Sequence, residues 1–358
     1  MIQDLNTDSN SCAAWIAKFL INRKVELIFG LQGGHIQPIW DHCYKLGIKI
    51  IDVRDEKAAV HMAQAYSYFS GKVGVAMVTA GPGVTNTVTA IANAFLSNVP
   101  ILLIGGCTPI PQNNMGPLQD IPHVDILKPV TNYSRTARVS DQVIRELDLA
   151  FSYAIGNMGS PGPSYFEVPT DILRESVDDK LVLEDWMIEK KPYNIIPSSI
   201  DIDKAINTIR NSKKPLIITG RGALKGGQQI LEFINKYNIP YLDTQESRGL
   251  IPKSNPNNIY AARSKAMSEA DLVILLGRKL DYQLAFGSPA VFKEAKFINI
   301  FKGKVDQQEL QKLPQIEGRE PEYMKLSEGD VSFHHGLTFH LAKPNNTKED
   351  RPVFTVIY

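Results

Sequence analysis

FGLQGGHIQPIWDHCYKLGIKIIDVRDEKAAVHMAQAYSYFSGKVGVAMVTAGPGVTN, residues 29–86, is the stretch on which the fold is read. Apolar runs at 27–30, 49–53 and 73–79 are each followed by a polar or glycine-rich turn and then by a helical pattern, and a further run at 101–104 closes the series. Alternation of this kind predicts an α/β domain with a parallel sheet and helices on both faces. In such sheets the ligand crevice lies outside the carboxyl ends of the strands. Gly33-Gly34-His35, Asp55-Glu56 and Ala80-Gly81-Pro82-Gly83 all come directly after strands. One sheet edge therefore collects a carboxylate, an imidazole and two glycine turns.

Outward from this stretch the same logic holds. Asn10 or Ser11 can cap a first helix carrying Ala13, Ala14, Ile16, Ala17 and Leu20 at helical spacing. The next helix, with Ile36, Ile39, Trp40, Cys43 and Leu46, ends at Gly47, a residue suited to the left-handed C′ position. A third runs from 56 to 69 and stops at Gly71, and a fourth starts after Gly83. The proline-rich region 108–138 is expected to be an ordered loop with one short strand, followed by a helix at 142–155 and a strand at 164–168. Residues 1–175 thus form the first domain, and 176–197, with mixed charge and Pro192 and Pro197, form a linker. A second doubly wound unit occupies 198–302, with helices at 202–210 and 228–237 and strands at 216–219, 241–244, 272–276 and 297–300. After it, 303–358 turns polar and then β-patterned, with a cluster of histidines.

Composition excludes several classes of function. The 39 basic residues nearly balance the 38 acidic ones, so no surface tuned to nucleic acid is expected. No apolar run approaches the roughly 20 residues of a membrane helix, and no basic n-region precedes an apolar one at the start. Cys12, Cys43 and Cys107 are widely spaced and form no CxxC pair, which suits free thiols in the cytoplasm rather than a disulfide framework or a zinc site.

Each candidate has two readings. Asp55 and Glu56 open a helix, where a carboxylate can simply complement the N-terminal dipole; a buried carboxylate beside two glycine turns and His35 would instead be a tuned acid or base. The loop from Thr79 to Asn86 lacks the lysine and the spacing of a P-loop. Gly220, Gly222 and Gly226 approach a dinucleotide fingerprint, but the last glycine is one residue late.

Several of these pieces carry a resemblance. FGLQGGHI, RDEKAAVHMAQAYS, GKVGVAMVTAGPGVTN, PLQDIPHVDILKPVT and PGPSYFEVPTDI resemble the pyrimidine-binding domain of thiamine-diphosphate enzymes, in the branch of acetolactate synthase, benzaldehyde lyase and 2-hydroxyacyl-CoA lyase. PLIITGRGA, EADLVILLGRKLDYQLAFGSP and KFINI resemble their central domain. LGRKLDYQLAFG is most similar to the 2-hydroxyacyl-CoA lyases, and FGLQGGHI to benzaldehyde lyase. The resemblance implies a C–C bond lyase or transferase using thiamine diphosphate. Glu56 would protonate N1′ of the aminopyrimidine, His35 relay protons to substrate oxygen, and Gln119 reach substrate. Gly33, Gly34, Thr79, Gly81, Pro82 and Asn86 would line the cofactor. It also implies a homo-dimer or tetramer and, in the central domain, ADP or FAD.

Two features depart from the family. No GDG…N motif, which in the family binds Mg2+ and the diphosphate, follows residue 300, so the chain is expected to lack the diphosphate-binding domain and to be inactive alone, unless a partner chain supplies that domain. The run GDVSFHHGLTFHLAKPNNTKEDRPVFTVIY resembles the end of phytanoyl-CoA dioxygenase-like iron oxygenases, with His340 as the matching metal ligand and Arg351 as the 2-oxoglutarate anchor. No HxD accompanies it; His123-Val124-Asp125 lies in the first domain, and 303–358 is expected to bind no iron. Besides the lyase, a non-catalytic nucleotide-binding or dimerisation scaffold and an oxygenase fragment remain as readings.

Overall fold

The computed structural model describes residues 10–182, 184–187 and 197–300. Its first domain runs α1 (Cys12–Asn22), β1 (Leu27–Leu31), α2 (Gln37–Lys45), β2 (Lys49–Asp52), α3 (Glu56–Ser70), β3 (Gly74–Val78), α4 (Pro82–Thr85), α5 (Val88–Leu96), β4 (Ile101–Cys107), α6 (His123–Leu127), β5 (Tyr133–Thr136), α7 (Val143–Ala154) and β6 (Pro163–Pro169). All six strands are parallel, in the order β2-β1-β3-β4-β6-β5. A parallel sheet needs cover on both faces, and the period of two along a strand divides its side chains between them. On β3, Val75 and Met77 face a core built with Ile16, Phe19 and Phe151 of α1 and α7. Ala76 and Val78 face the other core, built with Ala59, Ala63, Ala90 and Ala94 of α3 and α5.

The second face is narrow because its residues are small. At Gly74 even a Cβ would sit 2.1 Å from the Ala63 carbonyl oxygen, so α3 lies backbone to backbone on β3. That contact fixes the line of α3, and with it the place of its first residue, Glu56. Both ends of the helix are determined locally. Asp55 caps the start, and Gly71 ends it in the left-handed conformation, at φ +72°.

Before the second domain comes α8 (Glu184–Met187), whose Met187 joins the α1/α7 core of the first domain. The second domain contains α9 (Ser199–Asn211), β7 (Pro215–Thr219), α10 (Gly227–Tyr237), β8 (Tyr241–Asp243), α11 (Arg263–Glu269), β9 (Leu272–Leu276), α12 (Pro289–Phe292) and β10 (Lys296–Ile300). Its four strands form a parallel sheet ordered β10-β9-β7-β8. The two sheets are linked through Arg221, which donates to the Ser97 carbonyl at 2.9 Å and lies over the Tyr68 ring at 4.7 Å. Tyr68 in turn donates to the Glu246 carbonyl at 2.5 Å.

Local patterning misjudges three places. The helix expected after Gly83 is broken into α4 and α5, because the Thr87 amide bonds Val84 O, three residues back, and the Thr87 hydroxyl takes the same carbonyl at 2.6 Å. The proline-rich loop holds the expected strand as β5 but also the helix α6, which starts directly after Pro122. Gly220 and Gly222 do not open a helix: residues 221–226 form a 3-10 turn, and Cβ atoms on these two glycines would come within 2.6 and 2.8 Å of Gly277 backbone atoms. Their role is close packing inside the second domain. The expectations for 303–358, including His340 and Arg351, lie outside the described residues, as do 188–196 of the expected linker. Among the described residues no helix is long and apolar enough to cross a membrane.

Replacing Gly74 by Ala should push α3 off β3. Overpacking of this kind costs about 1–3 kcal/mol, read as a lower urea midpoint with an unchanged slope. A midpoint equal to the parent's would show that the helix does not rest on the strand in this way.

Candidate active site

Glu56 and Asp55 divide the work that the chain left ambiguous. Asp55, extended at φ −154° and ψ 128°, accepts the Lys57 amide at 2.8 Å and is the helix cap. Glu56 is therefore not needed for capping and turns into the domain, where it is 7% exposed. Its Oε2 accepts from Asn86 Nδ2 at 2.9 Å. Among the described residues its Oε1 has no hydrogen-bond partner, and no cation pairs with the carboxylate. A carboxylate withdrawn from water costs free energy that a donor must return. Here one neutral amide is in place and one oxygen remains available.

The turn after β3 forms the opposite wall. A Cβ on Gly83 would stand 2.9 Å from Thr79 Cγ2 and 3.5 Å from Glu56 Oε1, so Thr79 demands the glycine, which lies directly beside the carboxylate. Gly81 holds φ +63° and ψ −122°, a conformation that L side chains avoid. A Cβ there would also lie 2.6 Å from Gln119 Cβ. Gln119 itself is left-handed, at φ +63°, and seats its loop on the turn. Pro82 starts α4, where its missing N–H costs nothing.

Thr79 ties in the remaining candidates. Gly33 packs on it so closely that a Cβ would come within 2.4 Å of Thr79 Cβ. His35 Nδ1 and Thr79 Oγ1 are 3.2 Å apart. Burial, and then the neighbouring His123, hold the His35 imidazole below its ordinary pKa of 6.5, which keeps it neutral at pH 7. Gly34 is exposed, with nothing within 4 Å of a Cβ position. The structure thus gathers Gly33, His35, Glu56, Gly81, Gly83, Asn86 and Gln119 around Thr79, while Gly34 faces open space.

Local sequence reasoning missed the support beneath the turn. Gly81 N donates to His123 Nε2 at 2.7 Å, and His123 Nδ1 lies 2.9 Å from Glu167 Oε2. Glu167 also accepts from Tyr165 and, at 2.6 Å, from Thr136. A signal was present, since Glu167 is a lone acid in the otherwise apolar strand PSYFEVP, and a buried acid implies donors around it. Among the described residues no group of His, Cys, Asp and Glu side chains could hold a metal ion. A cavity of about 840 Å³ lies away from these residues, in the second domain beside Ile206, Phe233 and Tyr237.

Residues 10–127 match the thiamine pyrophosphate enzyme N-terminal TPP binding domain, and residues 202–318 match the central domain of the same enzymes. The chain is 32% identical over 325 residues to 2-hydroxyacyl-CoA lyase 2 of Danio rerio, covering 81% of this chain and 52% of that protein. It is 32% identical over 293 residues to human 2-hydroxyacyl-CoA lyase 1, covering 81% and 50%. With the 2-hydroxyacyl-CoA lyase of Saccharomyces cerevisiae it shares 32% over 290 residues, covering 79% and 51%. It therefore spans about half the length of the curated relatives it matches. These matches do not favour the scaffold or oxygenase readings. With its two matched domains folded as parallel sheets and a buried glutamate facing the glycine turn, the chain belongs to the thiamine pyrophosphate enzyme family.

Proposed function

We propose that this protein acts as a thiamine-diphosphate-dependent lyase on 2-hydroxyacyl-CoA thioesters, its first domain holding the aminopyrimidine end of the cofactor. The observation that carries the reading is Glu56: buried, relieved of capping by Asp55, and with Oε1 available beside a glycine. An aminopyrimidine suits that wall, because its ring nitrogen can share a proton with a carboxylate and its flat face needs the clearance that Gly83 leaves. Bound thiamine diphosphate would supply an electron sink for breaking a C–C bond next to a carbonyl.

The chain's own groups do the rest. Asn86 holds Glu56 Oε2, which leaves Oε1 as the oxygen that would share the ring-nitrogen proton. His35, neutral and held by Thr79 at Nδ1, leaves its other nitrogen to exchange a proton with substrate oxygen. Gln119, on the strained loop above Gly81, would hydrogen-bond substrate. Mg2+ and the diphosphate would be held by a diphosphate-binding domain, and the family resemblance favours assembly as a homo-dimer or tetramer in the cytoplasm. In the second domain an ADP or FAD diphosphate would find Thr244, Arg248 and Arg263 around a small cavity of about 160 Å³ after β8.

The test is Glu56→Gln, which keeps the shape and the Asn86 contact but cannot share the proton. In the protein assembled with a diphosphate-binding partner, kcat for 2-hydroxyacyl-CoA cleavage should fall by about 10²–10⁴-fold, with KM little changed. A Glu56→Gln assembly as active as the parent would end the proposal.

A second expectation follows from His35. The unfolded chain takes up this proton near pH 6.5, whereas the folded chain resists it to lower pH. The contribution is intact above that value and declines as pH falls below it. NMR should show the His35 ring titrating below 6.5, and the urea midpoint of the parent should drop more steeply on acidification than that of His35→Gln. Equal slopes would contradict the buried neutral imidazole.

A further inference from the structure

We propose that His123 is a positioning residue for this site: its Nε2 accepts the amide hydrogen of Gly81 and so sets the turn through which Glu56 is held. The structural claim stands on geometry; its consequence for catalysis rests on the lyase reading above.

His123 is 2% exposed and starts α6 directly after Pro122. A backbone amide at a tight turn ordinarily bonds a carbonyl or water, but the Gly81 amide is given to an imidazole nitrogen at 2.7 Å. A nitrogen that accepts carries no proton, so in the neutral ring the hydrogen is on Nδ1. There it meets Glu167 Oε2 at 2.9 Å. Glu167 is 4% exposed and also gathers the Tyr165 and Thr136 hydroxyls, so donors from α6, β5 and β6 converge on one carboxylate. That carboxylate selects the tautomer, and the tautomer selects what the other nitrogen can do.

The far side of the bond reaches the site. The Gly81 carbonyl accepts from the Val84 and Thr85 amides at 3.0 and 3.1 Å, so Gly81 is the root of the single turn α4. Asn86 follows α4, its own amide bonded to Pro82 O at 2.9 Å. Its side chain then holds Glu56 Oε2 at 2.9 Å. A four-residue helix cannot orient itself. The sequence of bonds from Glu167 through His123, Gly81 and α4 to Asn86 supplies the missing anchor. The titratable groups next to the imidazole are Glu167 of β6 and His35 from the connection after β1, and Tyr165 of β6 and Cys107 of β4 lie against that carboxylate in turn.

The experiment uses the full chain, labelled with 15N and deuterium. In the parent, NMR should show the Nδ1–H tautomer of His123 and a scalar coupling between the Gly81 amide nitrogen and His123 Nε2 across the hydrogen bond. Two variants follow. His123→Leu removes the acceptor, and Gly81 amide exchange should rise by about tenfold, the scale of one lost buried hydrogen bond. His123→Gln offers Oε1 in place of Nε2 and should return exchange close to the parent rate. Exchange in β3 should stay unchanged in both. An Nε2–H tautomer without the coupling, or Gly81 exchange unaltered in His123→Leu, would overturn the proposal. The parent measurement decides the matter even where a variant fails to fold. Should Glu56→Gln leave lyase activity intact, the lyase reading falls while the coupling and exchange results stand.

Discussion

Where β3 passes under α3, the two backbones touch: a Cβ on Gly74 would lie 2.1 Å from the Ala63 carbonyl oxygen. Everything at the site depends on that closeness. A helix resting on alanines and a glycine has little freedom to slide, because packed interiors tolerate volume change poorly. Its first residue is therefore delivered to one point at the sheet edge. The same economy of side chains recurs at Gly33 on Thr79 and at Gly106, where a Cβ would sit 2.4 Å from the Cβ of His35. Close backbone approach, repeated across three strands, brings groups together that are far apart in the chain.

Glu167 and Glu56, both buried in the first domain, differ in how their donors are allocated. Glu167 is surrounded by His123, Tyr165 and Thr136, which satisfy it from protein alone. Among the described residues, Glu56 receives only Asn86. A fully satisfied buried group rigidifies its surroundings, whereas a partly satisfied one is costly and open to a ligand. Glu167 thus serves the architecture, and Glu56 is the carboxylate left for the proposed chemistry.

The second domain contributes through its seating rather than through the glutamate site. Arg221 uses its planar cation twice, on the Ser97 carbonyl and on the Tyr68 face, a pairing that lysine could not reproduce. Tyr68 lies in α3, the helix that begins with Glu56, so the second domain's grip falls on the C-terminal turns of the element that carries the catalytic candidate.

Fold class was legible in the chain because its signals are local. Apolar runs, a capping Asp55 and the terminating Gly71 mark where each element begins and stops, and strand-to-helix alternation admits a parallel sheet. The approximate site was legible for the same reason, since loops after parallel strands share one edge. Strand order, the break between α4 and α5, and the helix inside the proline-rich loop were not. Nor was the burial of Glu56 against Asn86, 30 residues away. His123 was passed over because its partners lie 42 and 44 residues distant. Periodicity tells which residues are buried, but which donor meets which acceptor inside is decided only when separate elements pack, because a hydrogen bond requires contact in space and no particular spacing in sequence.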